Sequence, residues 1–172
     1  AADAARFYRD YEQAIHVIGG AAERRGIYEG PGISLKLSAL HPRYEYLQAE
    51  RVRRELLPRV IELARAARAA NIPLMIDAEE SDRLEPHLDI FEGLVAAGIA
   101  DGWTGLGIVI QAYQKRAPEA IRLVAAMARA RGVHLSMRLV KGAYWDTEIK
   151  RAQTLGLADF PVFTAKAHTD LN

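Results

Sequence analysis

Cysteine is missing altogether from the 172 residues. Its absence excludes a disulfide scaffold, a thiol nucleophile, a Cys-ligated zinc site and an iron–sulfur cluster, and it fits a reducing compartment. An excess of either charge is missing too. The 23 Lys and Arg stand against 22 Asp and Glu, a net charge of +1, which removes the electrostatic case for a nucleic-acid binder. Apolar runs approaching the ~20 residues that span a bilayer are absent. The opening stretch carries Asp3, Arg6 and Arg9 where a signal peptide would have an apolar core, which argues against secretion and for the cytoplasm. There is no Gly-x-x-x-x-Gly-Lys phosphate loop. Gly102-x-x-Gly105-x-Gly107 leads into a strand instead of joining a strand to a helix, so it fails as a dinucleotide fingerprint.

What is present suits one domain with a real core. Apolar residues make up 50% of the chain and charged residues 26%, and a compact fold of this size buries roughly 70% of its extended surface. Helical spacing over 4–18 places Phe7, Tyr11, Ile15 and Ile18 on one face, with Gly19-Gly20 as the expected stop. The turn-rich Gly26–Gly32 segment follows, then strict alternation over Ile33–Ala39, which reads as a strand. A helix pattern covers roughly 46–70, with Leu56, Val60, Leu63 and Ala67 on one side.

The cycle then repeats. A strand over 73–78 precedes a helix over 82–97, whose start, Asp82 with Glu85, resembles a capping box. A loop over 98–105 leads to a strand over 106–111, and a helix over 118–131 stops at Gly132. A strand over 134–140 precedes a helix over 144–155. Phe160–Asn172 reads as a last helix with Pro161 near its first turn. Four βα units imply a parallel α/β sheet. Four such units do not close a barrel, so the pattern looks like a slice of something larger.

The informative residues are polar groups at the carboxyl ends of these apolar strands: Lys36, Asp77, Gln111, Arg138 and, just beyond, Lys141. A buried parallel strand should be nearly all apolar, because an unpaired charge there costs several kcal/mol. A single such residue has a structural reading as a local ion pair. Four successive strands offering one at the same level point to a site, because parallel sheets place binding and chemistry at that edge. Cations with one carboxylate and one amide suit an anionic substrate or cofactor.

Asp77, Glu79 and Glu80 could suggest a metal site, yet Lys36 and Arg138 converging on them favour an ion-paired network. The five histidines, His16, His41, His87, His134 and His168, read as surface or capping residues. Ser34, Ser38 and Ser136 lack a nearby base. Lys141-Gly-Ala-Tyr-Trp145 joins a strand to a helix and combines a cation, exposed backbone N–H groups and two rings, which favours a phosphate or another anion beside a flat ring. A hydrophobic staple with a loop is its bland reading.

On these residues the chain resembles the proline dehydrogenase domain of the bifunctional proline-utilisation flavoproteins, the PutA family. The resemblance rests on GIYEGPGISLKLSALHPRYE (26–45), IDAEESDRLE (76–85), GIVIQAYQKR (107–116), RLVKGAYWDTEIKRAQ (138–153) and PVFTAKAHTDLN (161–172). It covers essentially the whole chain, so residues 1–172 are expected to form part of one FAD-binding barrel domain. The resemblance implies four consecutive βα units, strands three to six, of a (β/α)8 TIM-type barrel that binds FAD at the carboxyl ends of its strands. It implies oxidation of L-proline to 1-pyrroline-5-carboxylate, with electrons passed to a quinone.

By similarity, Asp77 and Arg138 are the catalytic pair. Gln111, Arg138, Val140, Lys141, Gly142, Ala143, Tyr144, Trp145, Thr164, Lys166 and Thr169 are expected to hold the cofactor. Lys36, Asp77, Leu139 and Tyr144 are expected at the substrate, and a metal is not expected. The implied partners are the missing barrel strands and an aldehyde dehydrogenase domain of the same polypeptide, with peripheral association at the inner membrane for the full-length protein. Nucleic-acid binding by this segment is not expected. Little or no turnover is expected of these residues alone. A non-catalytic half-barrel that holds flavin or an anion and self-associates is the alternative. A segment serving only its own polypeptide, and on pattern alone an α/β enzyme for a phosphorylated substrate, stay open beside it.

Overall fold

The computed structural model describes residues 2–22 and 25–172. Its centre is a parallel sheet of four strands, β1 Ile33–Leu35, β2 Leu74–Ile76, β3 Leu106–Gln111 and β4 Ser136–Val140, in the order β1-β2-β3-β4. The helices are α1 Ala2–Ala21, α2 Gly26–Glu29, α3 Leu37–Leu40, α4 Ala49–Ala69, α5 Leu84–Ala96, α6 Ala117–Arg131, α7 Trp145–Thr154 and α8 Lys166–Asp170. Neighbours in sequence are neighbours in the sheet, so among the described residues strand order never reverses and no switch point forms.

The two faces of the sheet differ in chemistry. Ile33, Leu35, Leu74, Ile76, Leu106, Ile108 and Ile110 alternate onto one face and join Leu56, Leu63, Phe91 and Leu94 in a single apolar core. The opposite face carries Ser34, Met75, Gly107 and Ser136 side by side, with Val109 and Arg138 at the next level. Gly107 leaves room for Met75, whose Sδ a Cβ at this position would overlap. Four strands lying flat at about 4.8 Å spacing would put β1 about 14 Å from β4. Yet Arg138 Nη1 on β4 donates to Ser34 Oγ on β1 at 3.5 Å. The sheet is therefore concave toward this second face.

Several boundaries depart from the sequence reading, each for a tertiary reason. The first strand stops at Leu35, because the Lys36 amide donates to the Tyr11 hydroxyl at 3.1 Å instead of to the sheet. The chain then coils into α3, which buries Leu37 and Leu40. Gly19 and Gly20 do not stop α1, which runs to Ala21. A Cβ on Gly19 would lie 2.8 Å from the Ala70 Cβ, so this glycine serves the approach of α1 to the end of α4.

The capping box does not form at the start of α5. Asp82 pairs with Arg151 and Glu85 with Arg116 instead. The tail is not one helix. Val162 bridges antiparallel to Gln114, Phe163 N donates to Tyr113 O at 2.8 Å, and only Lys166–Asp170 is helical. Burial of Val162 in that pairing outweighs its place in a helical pattern. The remaining elements match closely. α6 carries Pro118 in its first turn and stops at Gly132, whose φ of 65° is left-handed.

Candidate active site

The concave face gathers the strand-end charges. Arg138 Nη2 lies 2.9 Å from Asp77 Oδ1, and its other terminal nitrogen reaches Ser34. Asp77 follows β2, Arg138 stands on β4, and β3 runs between them with only Val109 at that level. Lys36 does not pair with Asp77. Its ammonium donates to the Tyr144 hydroxyl at 3.3 Å and lies 5.9 Å from the centre of that ring. The hydrogen bond to Tyr144 holds the Lys36 amine above its ordinary range. The Arg138–Ser34 and Lys36–Tyr144 contacts thus cross the mouth of the sheet, each joining its β1 edge to its β4 edge.

The turn from Val140 to Trp145 is fixed by the residues that follow β3. Ala112 N donates to Val140 O at 2.7 Å and Tyr113 N to Lys141 O at 2.8 Å. Ala143 N donates to Gln111 Oε1 at 2.9 Å, and Tyr144 N to the Tyr113 hydroxyl at 3.3 Å. Gln111 is 2% exposed, and its amide nitrogen donates to Glu79 O at 2.7 Å. One side chain therefore ties the loop after β2 to the loop after β4. Gly142 has φ of 149°, and a Cβ on it would overlap the Tyr113 ring.

A cavity of about 310 Å³ opens beside this turn. One wall is Tyr113, Lys141, Gly142 and Trp145; the other is Phe163, Thr164, Lys166 and Thr169. Trp145 holds the two walls together by donating its ring N–H to Phe163 O at 3.0 Å. Lys141 and Lys166 give this cavity two ammonium groups. The start of α7 has no side-chain cap, which leaves backbone N–H groups at that end of the helix.

Not every expected residue comes to this face. Leu139 lies with Met137 on the opposite side of β4, next to Ile110, and is 52% exposed. Glu79 and Glu80 do not join Arg138. Glu79 accepts from Arg83 at 2.5 Å and from the Ser38 amide at 2.9 Å, and Glu80 lies 3.2 Å from Arg83. Among the described residues, no cluster of three His, Cys, Asp or Glu side chains could hold a metal. Two histidines are not at the surface. His41 is buried against Glu55, and His87 is buried with its Nε2 3.2 Å from Val109 O.

Other residues of the site had no evident signal in the sequence. Nothing in the periodicity singles out Tyr113 and Phe163, yet they line the cavity. Nothing in the sequence pattern marks Glu148, yet it is 2% exposed and accepts from Ser81 N at 2.5 Å and Ser81 Oγ at 2.6 Å. Its spacing from the buried Ala152, one turn on, is the one hint that it faces inward.

A profile of the proline dehydrogenase family matches residues 1–172. The bifunctional protein PutA of Rhizobium meliloti is 60% identical over 172 residues, all of this chain and 14% of that protein's length. The bifunctional protein PutA of Escherichia coli strain K12 is 55% identical over 172 residues, again all of this chain and 13% of its length. Among solved structures, a Bradyrhizobium japonicum proline utilization A variant superposes with a TM-score of 0.96 at 53% identity. That match covers 99% of this chain and 18% of the solved chain. The chain thus spans about one seventh of the length of these two relatives.

Proposed function

The chain belongs to the proline dehydrogenase family, and from that premise we propose that it forms part of an FAD-dependent site oxidising L-proline to 1-pyrroline-5-carboxylate. The observation that carries the reading is the Asp77–Arg138 pair on the concave face, at the carboxyl ends of four parallel strands. The sheet order and its curvature fit four consecutive units, strands three to six, of an eight-stranded barrel. Residues 1–172 are then one part of that domain. The remaining strands, an aldehyde dehydrogenase domain, a quinone acceptor and peripheral association with the inner membrane belong to the full-length polypeptide.

The residues present suit FAD. The cavity offers two ammonium groups for phosphates, a glycine where a Cβ would strike Tyr113, and the half-exposed face of Trp145. Lys141, Gly142, Trp145, Thr164, Lys166 and Thr169 would hold the diphosphate and adenosine. Gln111, Val140, Ala143 and Tyr144 would hold the ring system from the turn they build. FAD when bound supplies the hydride acceptor.

The chain's own groups do the positioning. Arg138 brings a positive charge to the place where negative charge grows during oxidation, which lowers the barrier most when the charge is fixed beforehand. Asp77 and Ser34 fix it. Lys36, on the same rim, is placed to attract the carboxylate of the amino acid, with Tyr144 holding its ammonium. Holding a small zwitterion in one orientation is most of what such a reaction asks of a protein. Leu139 enters this reading only through its similarity, since it lies on the far face of β4.

Alone, these 172 residues should turn over little proline, because the walls from the remaining strands are needed to close the site. The test uses the full-length polypeptide. Its visible spectrum should show bound flavin that bleaches when proline is added without oxygen. A colourless protein that cannot take up FAD, or bound flavin indifferent to proline, would sink the proposal. Saturable proline-dependent quinone reduction by residues 1–172 alone would overturn the claim that they need the rest.

A further inference from the structure

Asp170 sits between two lysines at the edge of the cavity. Lys141 Nζ lies 2.7 Å from one of its carboxylate oxygens, and Lys166 Nζ lies 2.5 Å from the other. The lysines come from separate segments: Lys141 from the turn after β4, Lys166 from the first position of α8. Both face the cavity. The carboxylate thus presents one oxygen to each ammonium, an arrangement that the oxygens of a diphosphate also provide. The two cations hold the Asp170 carboxyl below its ordinary range, Lys141 contributing more than Lys166.

We propose that Asp170 is an internal counter-anion that holds the place of a diphosphate between Lys141 and Lys166 and is displaced when that ligand enters. The inference rests on reading the cavity as the phosphate end of an FAD site. Its physical basis is a difference in charge. A carboxylate carries one negative charge and a diphosphate two or three, so the same two cations attract the diphosphate more strongly. All three side chains are well exposed, and exposed ion pairs are worth little, so displacement is easy.

In the ligand-free site the carboxylate does two things. It keeps two flexible lysines aimed at one point, which reduces the ordering cost when the ligand binds. It also screens them from weaker anions, so a lone carboxylate or chloride gains little by entering. With the ligand in place Asp170 is a nearby negative charge that opposes it. Neutralising Asp170 gives up that ordering but removes both the competitor and the repulsion, and the charge effect is the larger, so diphosphate binding should tighten.

The test is calorimetric titration of the flavin-free full-length polypeptide with ADP, and with riboflavin as a ligand that lacks phosphate. D170N should bind ADP roughly threefold or more tightly than the unmodified protein, the effect of removing two exposed ion pairs. Riboflavin affinity should stay the same. D170E, which keeps the charge, should bind ADP like the unmodified protein, and D170S should follow D170N. ADP binding that K141A weakens but that D170N and D170S leave unchanged or weaken would overturn the counter-anion role, with the phosphate reading intact. ADP binding indifferent to both K141A and K166A would remove the phosphate reading and this inference with it.

Discussion

Asp77 and Arg138 lie 61 residues apart in the chain and 2.9 Å apart in space, and the arginine also reaches Ser34 at 3.5 Å. One guanidinium thereby joins β4 to β1 and to the residue that follows β2, and a concave sheet permits it. The pair is half-open, so its value to folding is small and stability does not account for it. Function is the better account. In the full-length polypeptide R138A should lower kcat/KM for proline by about 100-fold or more, with the thermal midpoint nearly unchanged. D77N should cost less, because the charge of Arg138 survives while its orientation loosens. Equal activity of R138A and the unmodified protein with an artificial electron acceptor would contradict the role given to this pair.

Gly142 combines a φ of 149° with a Cβ position inside the Tyr113 ring. G142A must therefore strain the backbone and push the ring, at a cost of about 1–3 kcal/mol. Tyr113 also builds the cavity wall and holds the Tyr144 amide. The variant should lose flavin on gel filtration at a temperature where it is still folded, and circular dichroism can verify that. The double variant G142A with Tyr113→Ala should regain part of the stability but not the flavin.

How far the sequence could be read follows from which interactions are local. β3 and α6 were legible because their apolar runs are bounded by Gly and Pro, whose effects act within a turn. The end of β1 was not, because Leu35 and Leu37 alternate whether the chain stays extended or coils to bury Leu40; the Tyr11 hydroxyl decides it from another helix. Asp77 and Arg138 stood out as charges that a buried strand would not otherwise carry. Glu148 and Asp170 did not, because an acid on a short helix looks solvated until its partner is known. Lys36 and Gln111 are legible as polar strand-end residues, but their partners Tyr144, Glu79 and Ala143 come from loops whose path no periodicity reveals.

His87 gives the fold a pH dependence. Burial lowers its pKa from 6.5 to about 4, a backbone hydrogen bond to Val109 offsetting only part of that. A histidine depressed in the folded state adds stability above its unfolded pKa and loses it as pH falls, since the unfolded chain takes up the proton first. Stability should therefore drop between pH 6.5 and about 4, by about 3 kcal/mol at the lower end. Urea unfolding at pH 7, 6 and 5 measures it. H87Q, which can still donate to Val109 O but cannot titrate, should flatten that part of the curve.

Met137 is 36% exposed on the core-side face of β4, beside Ile108, and β4 is the last strand of the sheet. If the barrel reading holds, other segments of the full-length polypeptide cover it. M137K should then act in opposite directions in two settings. In residues 1–172 alone it should reduce self-association, seen by light scattering, because a charge blunts an open strand edge. In the full-length polypeptide it should destabilise by about 2 kcal/mol or more, because a lysine would be buried without a partner. A harmless substitution in the full-length polypeptide would argue against coverage of this face.

Glu148 links the two loops that bound the site. Its carboxylate accepts from Ser81 N at 2.5 Å and Ser81 Oγ at 2.6 Å, and Arg151, on the same helix, pairs with Asp82 next to that serine. The loop after β2 is thereby fastened to α7, whose first turn continues the Val140–Trp145 turn. E148A would leave the part-buried Ser81 amide and hydroxyl without that partner, a loss of about 1–3 kcal/mol. E148Q should lose about 1 kcal/mol or less, since its carbonyl can accept from the amide while its NH₂ donates to the hydroxyl oxygen. S81A should fall between, and a double-mutant cycle with E148A should show strong coupling. Because the fastened loop also presents Glu79 O to Gln111, E148A should release flavin more readily than S81A does. Stability of E148A equal to that of the unmodified protein would mean that the carboxylate holds nothing in place.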